Sequence, residues 1–288
     1  MSFVHDYVFT WACGEEFQNS QGFHVFLESV SRQMLEVVVF SDKFHGQWEK
    51  TLHCLGHDTC KVQGVYYLLR DRWHHYAKTL YELNANRVLL CDSKDVIFQD
   101  DPFKIVKDLD IKGEFVIFCD EGITHGENDW NGGDQFRCQI HVVGEWKKEF
   151  LSRPVLNGGF IIGTPKKLAQ LSTMIWTNMI RNPQPPYSDQ AMINFLHFWI
   201  ENDPEVFVCN PQEHNLCLTG QGIVEEKVHY MRKDDGTFHN LLTSEKYYAF
   251  HQWDRTEWAD SIMKDYGARN MRSHLDLALD QGHPTGIF

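Results

Sequence analysis

The 288-residue chain contains no run of about 18 apolar residues, the length a membrane-crossing helix needs. It also contains no internal repeat, low-complexity tract or clear linker, which argues against solenoid and fibrous architectures. Its eight cysteines, at positions 13, 54, 60, 91, 119, 138, 209 and 217, include no CxxC pair. That absence removes the common zinc-knuckle and thioredoxin-like patterns. Basic residues are scarce, with 27 Lys and Arg against 40 Asp and Glu and a net charge of −13. Such a balance disfavours nonspecific binding to nucleic acid or an anionic membrane. An anionic substrate then needs a local remedy, such as a metal ion or a few placed cations. The opening stretch "MSFVHDYVFTWACG" lacks a basic segment followed by an apolar one, so it reads as an early strand rather than a signal peptide. Reduced thiols and a cytoplasmic location are the expectation.

What is present is a large apolar fraction: 42% of residues are hydrophobic and 14% aromatic, with nine Trp. This suffices for one substantial core, and the chain reads as a single domain over 1–288 with a helical tail from about 258. "DYVFTWA", "EVVVFSD", "NRVLLCD", "EFVIFCD" and "GGFIIGT" each predict a buried strand of about four to six residues. Between them "FHVFLESVSRQML", "GVYYLLRDRWHHYAKTLYEL", "PKKLAQLSTMIWTNMI" and "SDQAMINFLHFWIE" carry helical spacing. The succession predicts an α/β fold, a mostly parallel central sheet flanked by helices. Ligands of such sheets bind beyond the carboxyl ends of the strands. Three predicted strands end in acids at that edge.

The densest acidic stretch is "RVLLCDSKDVIFQDDPF", residues 87–103. Asp92 and Asp95 follow a buried strand, where paired carboxylates suit a hard divalent cation. The same spacing also suits a turn whose Asp side chains bind backbone N–H groups. Asp100, Asp101 and Pro102 read as a turn and helix cap. A zinc site at His53, Cys54, His57 and Cys60 is a further candidate, against ordinary surface and core residues. Ser188, Asp189 and Gln190 read as a helix start.

Four segments carry a resemblance. "VLLCDSKDVIF" with "DDPF" resembles the metal-binding strand of GT-A glycosyltransferases, in which an acidic DxD-type motif holds a metal against a nucleotide-sugar diphosphate. "VLNGGFIIGTPKKL" resembles the later NxGxxxx strand of the retaining glycogenin and lipopolysaccharide galactosyltransferase type. "SDQAMINFL" is similar to that group's Asp-Gln helix start, and "FHQWDR" to its late metal-binding His. The segments occur in the family's order and span Val88 to about Arg255. Two departures stand out. The acidic motif is DxxD, and Glu257 occupies the place expected of a phosphate-binding Lys, a role Arg255 is the candidate to fill.

The resemblance implies a GT-A (Rossmann-like) domain that transfers a sugar from a nucleotide-sugar, UDP-linked by expectation, to a glycan or other hydroxyl acceptor, with retention. It implies Mn²⁺ or Mg²⁺ held by Asp92, Asp95 and His251. Donor contacts are expected from Thr10, Ala12, Arg72, Lys78, Asp92, Asn157, Gly158, Gly159 and Arg255. Catalysis is expected at Asp189 and Gln190, facing the anomeric carbon. Glu121 is a candidate acceptor-side acid, and in an inverting enzyme Asp189 or Glu121 would serve as general base. No nucleic-acid partner and no membrane span are expected. Two other readings remain open at this level. The same carboxylates suit a metal-dependent phosphohydrolase, although a haloacid-dehalogenase-type nucleophile needs one residue between its aspartates and "DSKDV" has two. The nine Trp suit a non-catalytic carbohydrate-binding protein as well as a core.

Overall fold

The computed structural model describes residues 5–41, 54–56, 65–127, 149–181 and 189–267. Strand β1 (His5–Trp11) leads through α1 (Glu15–Gln18) and α2 (Gln21–Arg32) to β2 (Glu36–Ser41) and β3 (Cys54–Gly56). Helix α3 (Val65–Glu82) feeds β4 (Ala85–Cys91), followed by β5 (Val96–Phe98), α4 (Lys104–Asp108) and β6 (Val116–Thr124). Then come β7 (Pro154–Gly163), α5 (Pro165–Arg181), α6 (Asp189–Ile200), β8 (Val206–Cys209) and β9 (Cys217–Thr219). The last part holds α7 (Gly220–Val224), β10 (Tyr230–Arg232), β11 (Phe238–Asn240), β12 (Ala249–His251), a 3-10 turn at Trp253–Arg255 and α8 (Ala259–Gly267).

The main sheet has seven strands in the order β3-β2-β1-β4-β7-β6-β8. Every neighbouring pair is parallel except β4·β7 and β6·β7, so β7 alone runs against the rest. The expected mostly parallel α/β sheet is therefore present. The reversal of β7 is not written in "GGFIIGT", because an apolar run looks the same in either direction.

Side-chain alternation divides the core. Val8, Leu89 and Cys91 face one side of the sheet with Phe23, Phe26 and Leu27 of α2. Tyr7, Phe9, Val88 and Leu90 face the other, with Trp73 and Tyr76 of α3 and Leu168 and Ile175 of α5. Both faces are covered, which is why these strands are apolar throughout. Cys91 and Cys119 are small hydrophobes inside this core, and burial holds both thiols well above their ordinary range. Helix α2 starts at Ser20, whose hydroxyl accepts from Phe23 N at 3.3 Å and so satisfies an otherwise unpaired donor.

Polar cross-links hold the strand ends together where ligands are expected. Ser93 Oγ donates to Trp11 O (3.0 Å), and Gln18 Nε2 donates to Ala12 O (3.0 Å) and Ser41 Oγ (2.8 Å). A second sheet, β5-β12-β9, lies across this edge, with β12 antiparallel to β5 and parallel to β9. The predicted closing helix is found as α8 over Ala259–Gly267, and the rest of that segment lies outside the described residues. So do Ser188 and, apart from the backbone of Cys54, the His53–Cys60 candidate.

Candidate functional site

Asp92 follows β4 directly, and its N–H donates to Gly159 O at 3.0 Å, which ties it to β7. Asp95 precedes β5. His251 ends β12 opposite Val96 in the antiparallel register, so the second sheet carries its imidazole back to the acids. Its Nε2 stands 3.4 Å from Asp95 Oδ1 and 3.8 Å from Asp92 Oδ2. One ligand atom from each of the three residues falls within 4.8 Å of the others, the one such grouping of His, Cys, Asp and Glu among the described residues.

Ligands sharing one divalent ion at about 2.0–2.3 Å stand about 3–4.5 Å apart. The three atoms therefore fit a single divalent ion with small adjustments, the carboxylates favouring a hard cation and the imidazole a transition metal. Gly159 provides the room. A Cβ there would sit 2.8 Å from Asp92 Cγ and 2.9 Å from His251 Cε1, closer than side chains approach.

The electrostatics belong to a strongly coupled pair. Burial disfavours the imidazolium of His251, but Asp95 and then Asp92 outweigh it and push its pKa up to about 9. Burial disfavours the Asp95 carboxylate too, yet His251 and Arg255 hold it below its ordinary range. A cation arriving here would compete with any proton on His251.

Arg72 forms the second half of the site. It lies on α3, almost wholly buried, and its Nη1 donates to Asp92 Oδ1 at 2.7 Å while Nη2 donates to Asp189 Oδ2. Trp73 Nε1 donates to the same Asp189 oxygen at 3.1 Å, and Asp189 Oδ1 accepts from Gln190 N at 3.0 Å. Burial opposes the charge on Arg72, and the two carboxylates keep it. Both oxygens of Asp189 are engaged, so it serves as a bridge between α3 and α6.

The other expected residues fall into place unevenly. Asn157, Gly158 and Gly159 lie on β7, with Asn157 Nδ2 2.6 Å from His251 Nδ1 and Asn157 Oδ1 accepting Gly159 N at 2.7 Å. Gly158 lies against Gln190, and a Cβ there would meet Gln190 Cβ at 3.1 Å. Arg255 is exposed in the 3-10 turn, donates to Gln221 Oε1 at 3.3 Å and acts electrostatically on Asp95. Thr10 and Ala12 are fully buried, and Thr10 Oγ1 donates to Cys91 O at 2.8 Å. They brace the strand ends and offer no surface to a ligand. Lys78 is exposed on α3, about 9 Å along the axis from Arg72. Asp101 is a turn residue as expected, its Oδ1 accepting from Phe103 N at 2.9 Å.

Glu121 is the candidate acceptor-side acid. It is 1% exposed within β6, and its Oε1 accepts from Asn157, Gln190 and Gln252. Burial, only partly offset by His251 and Arg255, raises its carboxyl above the ordinary range. Sequence reasoning missed Gln252 and Trp73. Each adjoins an expected residue, His251 and Arg72, and that adjacency was the available signal.

No known family and no curated protein matches this sequence. Solved structures do match its fold. The crystal structure of the apo-form glycosyltransferase GlyE of Streptococcus pneumoniae TIGR4 aligns over 97% of this chain with a TM-score of 0.54. Identity is 9%, and the chain spans 64% of that structure's length. At this identity the likeness is one of fold.

Proposed function

We propose that the protein is a divalent-metal-dependent glycosyltransferase that moves a sugar from a nucleotide-sugar, UDP-linked, to a hydroxyl acceptor with retention of configuration. One observation carries this reading: Asp92, Asp95 and His251 converge at the strand ends beside the Arg72–Asp189 bridge and Gln190. The fold shared with a solved glycosyltransferase supports it. Asp92, Asp95 and His251 would hold Mn²⁺ or Mg²⁺, which would supply positive charge against the charge that builds on a departing diphosphate.

The chain's own residues do the rest. Arg72 holds Asp92 and Asp189 in a fixed relation, so the cation site and the start of α6 move as one unit. Gly158 and Gly159 leave backbone open to close approach by a sugar. Gln190, half-buried at the first turn of α6, presents its amide beside them. Arg255 brings a cation to the place where the resemblance expects a Lys. Retention is favoured because the two acids suited to act as base are both engaged. Asp189 accepts from Arg72, Trp73 and Gln190, and Glu121 is buried among amides. The described residues contain no helix long and apolar enough to cross a membrane.

The test is nucleoside diphosphate release from UDP-sugars with Mn²⁺ and a mixed acceptor pool. Asp95→Asn should lower turnover by about 10²-fold or more, the usual loss when such stabilisation is removed. Asp101→Asn should stay near wild type. If Asp95→Asn retains full turnover, the cation site is on other residues; if the wild type releases nothing from any donor, the transferase reading falls.

A further inference from the structure

Glu121 lies under the site, and the proposed transfer gives it no part. Its Oε1 receives three side-chain amides from three parts of the fold: Asn157 of β7 at 3.3 Å, Gln190 of α6 at 3.2 Å and Gln252 after β12 at 3.2 Å. Its main-chain carbonyl accepts Thr219 Oγ1 at 2.9 Å, so the residue is held at both ends.

The three amides differ in what surrounds them. Asn157 is fixed independently by His251 Nδ1 and Gly159 N. Gln252 is fixed independently too, since its Oε1 accepts Gln221 N at 3.0 Å and its own N–H donates to Asp95 O at 2.7 Å. These two anchor the carboxyl oxygen. Gln190 is the half-buried member, opening α6 beside Asp189 and against Gly158, where its side chain borders the proposed sugar site. A Gln side chain has several rotamers of similar energy, and holding one of them takes a fixed partner. An ionised carboxylate oxygen accepts hydrogen bonds roughly twice as strong as a neutral amide oxygen does, so a neutral isostere holds the three donors more weakly.

We propose that Glu121 is a positioning residue that aims the side-chain amide of Gln190 at the substrate, with Asn157 and Gln252 as its anchors. Its effect on turnover rests on the transferase reading; its effect on Gln190 does not. The experiment therefore has two arms. In the first, side-chain amide NMR follows Gln190, assigned by the signal lost in Gln190→Ala. Wild type should show a Gln190 NH₂ pair protected from exchange, and Glu121→Gln should shift that pair and speed its exchange. In the second, turnover is compared in a double-mutant cycle. Glu121→Gln should lower kcat by about 10- to 100-fold with donor KM within about threefold, as expected for a misplaced group.

Glu121→Gln should add less than about threefold to Gln190→Ala, because both remove the same arrangement. Glu121→Asp, which keeps the charge but withdraws the oxygen, should behave alike and replaces Glu121→Gln should that variant fail to fold. An unchanged Gln190 signal overturns the proposal whether or not the wild type transfers sugar. Full additivity in the cycle also overturns it, since a merely structural carboxylate would slow the Gln190→Ala enzyme just as much. A wild type without turnover removes the transferase reading and leaves the NMR arm to decide.

Discussion

His251 Nε2 stands 3.4 Å from Asp95 Oδ1, although the two residues come from distant parts of the chain. A three-residue pairing of β12 with β5 sets this relation, with His251 opposite Val96. The next residue, Gln252, turns into the left-handed region at φ 60° and donates its N–H to Asp95 O at 2.7 Å. That conformation is costly for a residue with a side chain, and the buried bonds around it hold it there. The same contacts explain how acids can cluster after β4. Asp92 meets Arg72, Asp95 meets His251, and Asp100 meets Lys104 at 2.7 Å and Lys246 at 3.8 Å.

Gly159→Ala should damage the cation site specifically. The added Cβ would press on both Asp92 and His251 and displace the ligands. Mn²⁺ affinity, read by calorimetry, should fall by about tenfold or more, equivalent to about 1.4 kcal/mol. Gly158→Ala meets Gln190 instead of the ligands and should leave Mn²⁺ affinity within about threefold. Equal losses in the two variants would count against the assignment of Gly159 as the opening of the cation site.

Arg72→Met should be among the most destabilising single changes. It leaves two carboxylates without their shared cation, one of them almost fully buried, and breaking such a buried pair costs about 3–5 kcal/mol. Urea unfolding measures this. Arg72→Lys keeps the charge but cannot span Asp92 and Asp189 together, so it should recover only part of the stability. A fully stable Arg72→Met protein would show that the bridge contributes nothing.

Asp120 carries a pH dependence that can be worked out in sign. Burial, relieved in part by Gly122 N and Asn210, raises its pKa to about 6. The folded state therefore binds a proton that the unfolded chain releases near pH 4. This contribution to stability is fully present below about pH 4 and lost as pH rises through about 6. The span of about two pH units corresponds to about 2–3 kcal/mol. Asp120→Asn should remove that slope between pH 4 and 7 in unfolding experiments and be relatively more stable at neutral pH. A slope unchanged in Asp120→Asn would assign it to another group.

Much of the sheet was legible in the sequence. β1, β2, β4, β6 and β7 are buried over most of their length, so they appear as apolar runs. The second sheet was not legible, because β5, β9 and β12 are three residues each and too short for periodicity. The site divides in the same way. Asp92 and Asp95 were visible as carboxylates at a strand end, while the place of His251 depended on the β5·β12 register and came only through resemblance. "RDRW" reads most simply as a surface charge pair, yet Arg72 is buried and Arg70 pairs with Asp71 at 2.7 Å. Helix spacing puts a residue on a face without saying what stands opposite it. Glu121 was visible as an acid, but its amide partners come from three separate elements and leave no local trace.

The central claim is that Asp92, Asp95 and His251 form one cation site that serves a nucleoside diphosphate. Calorimetric titration of UDP, in Mn²⁺ and again in EDTA, tests it most directly, with His251→Ala alongside the wild type. The account predicts UDP binding about tenfold or more tighter with Mn²⁺, a coupling of ordinary size between linked ligands, and little difference in His251→Ala. Equal UDP affinity in Mn²⁺ and EDTA, or a full metal effect that survives His251→Ala, would contradict it.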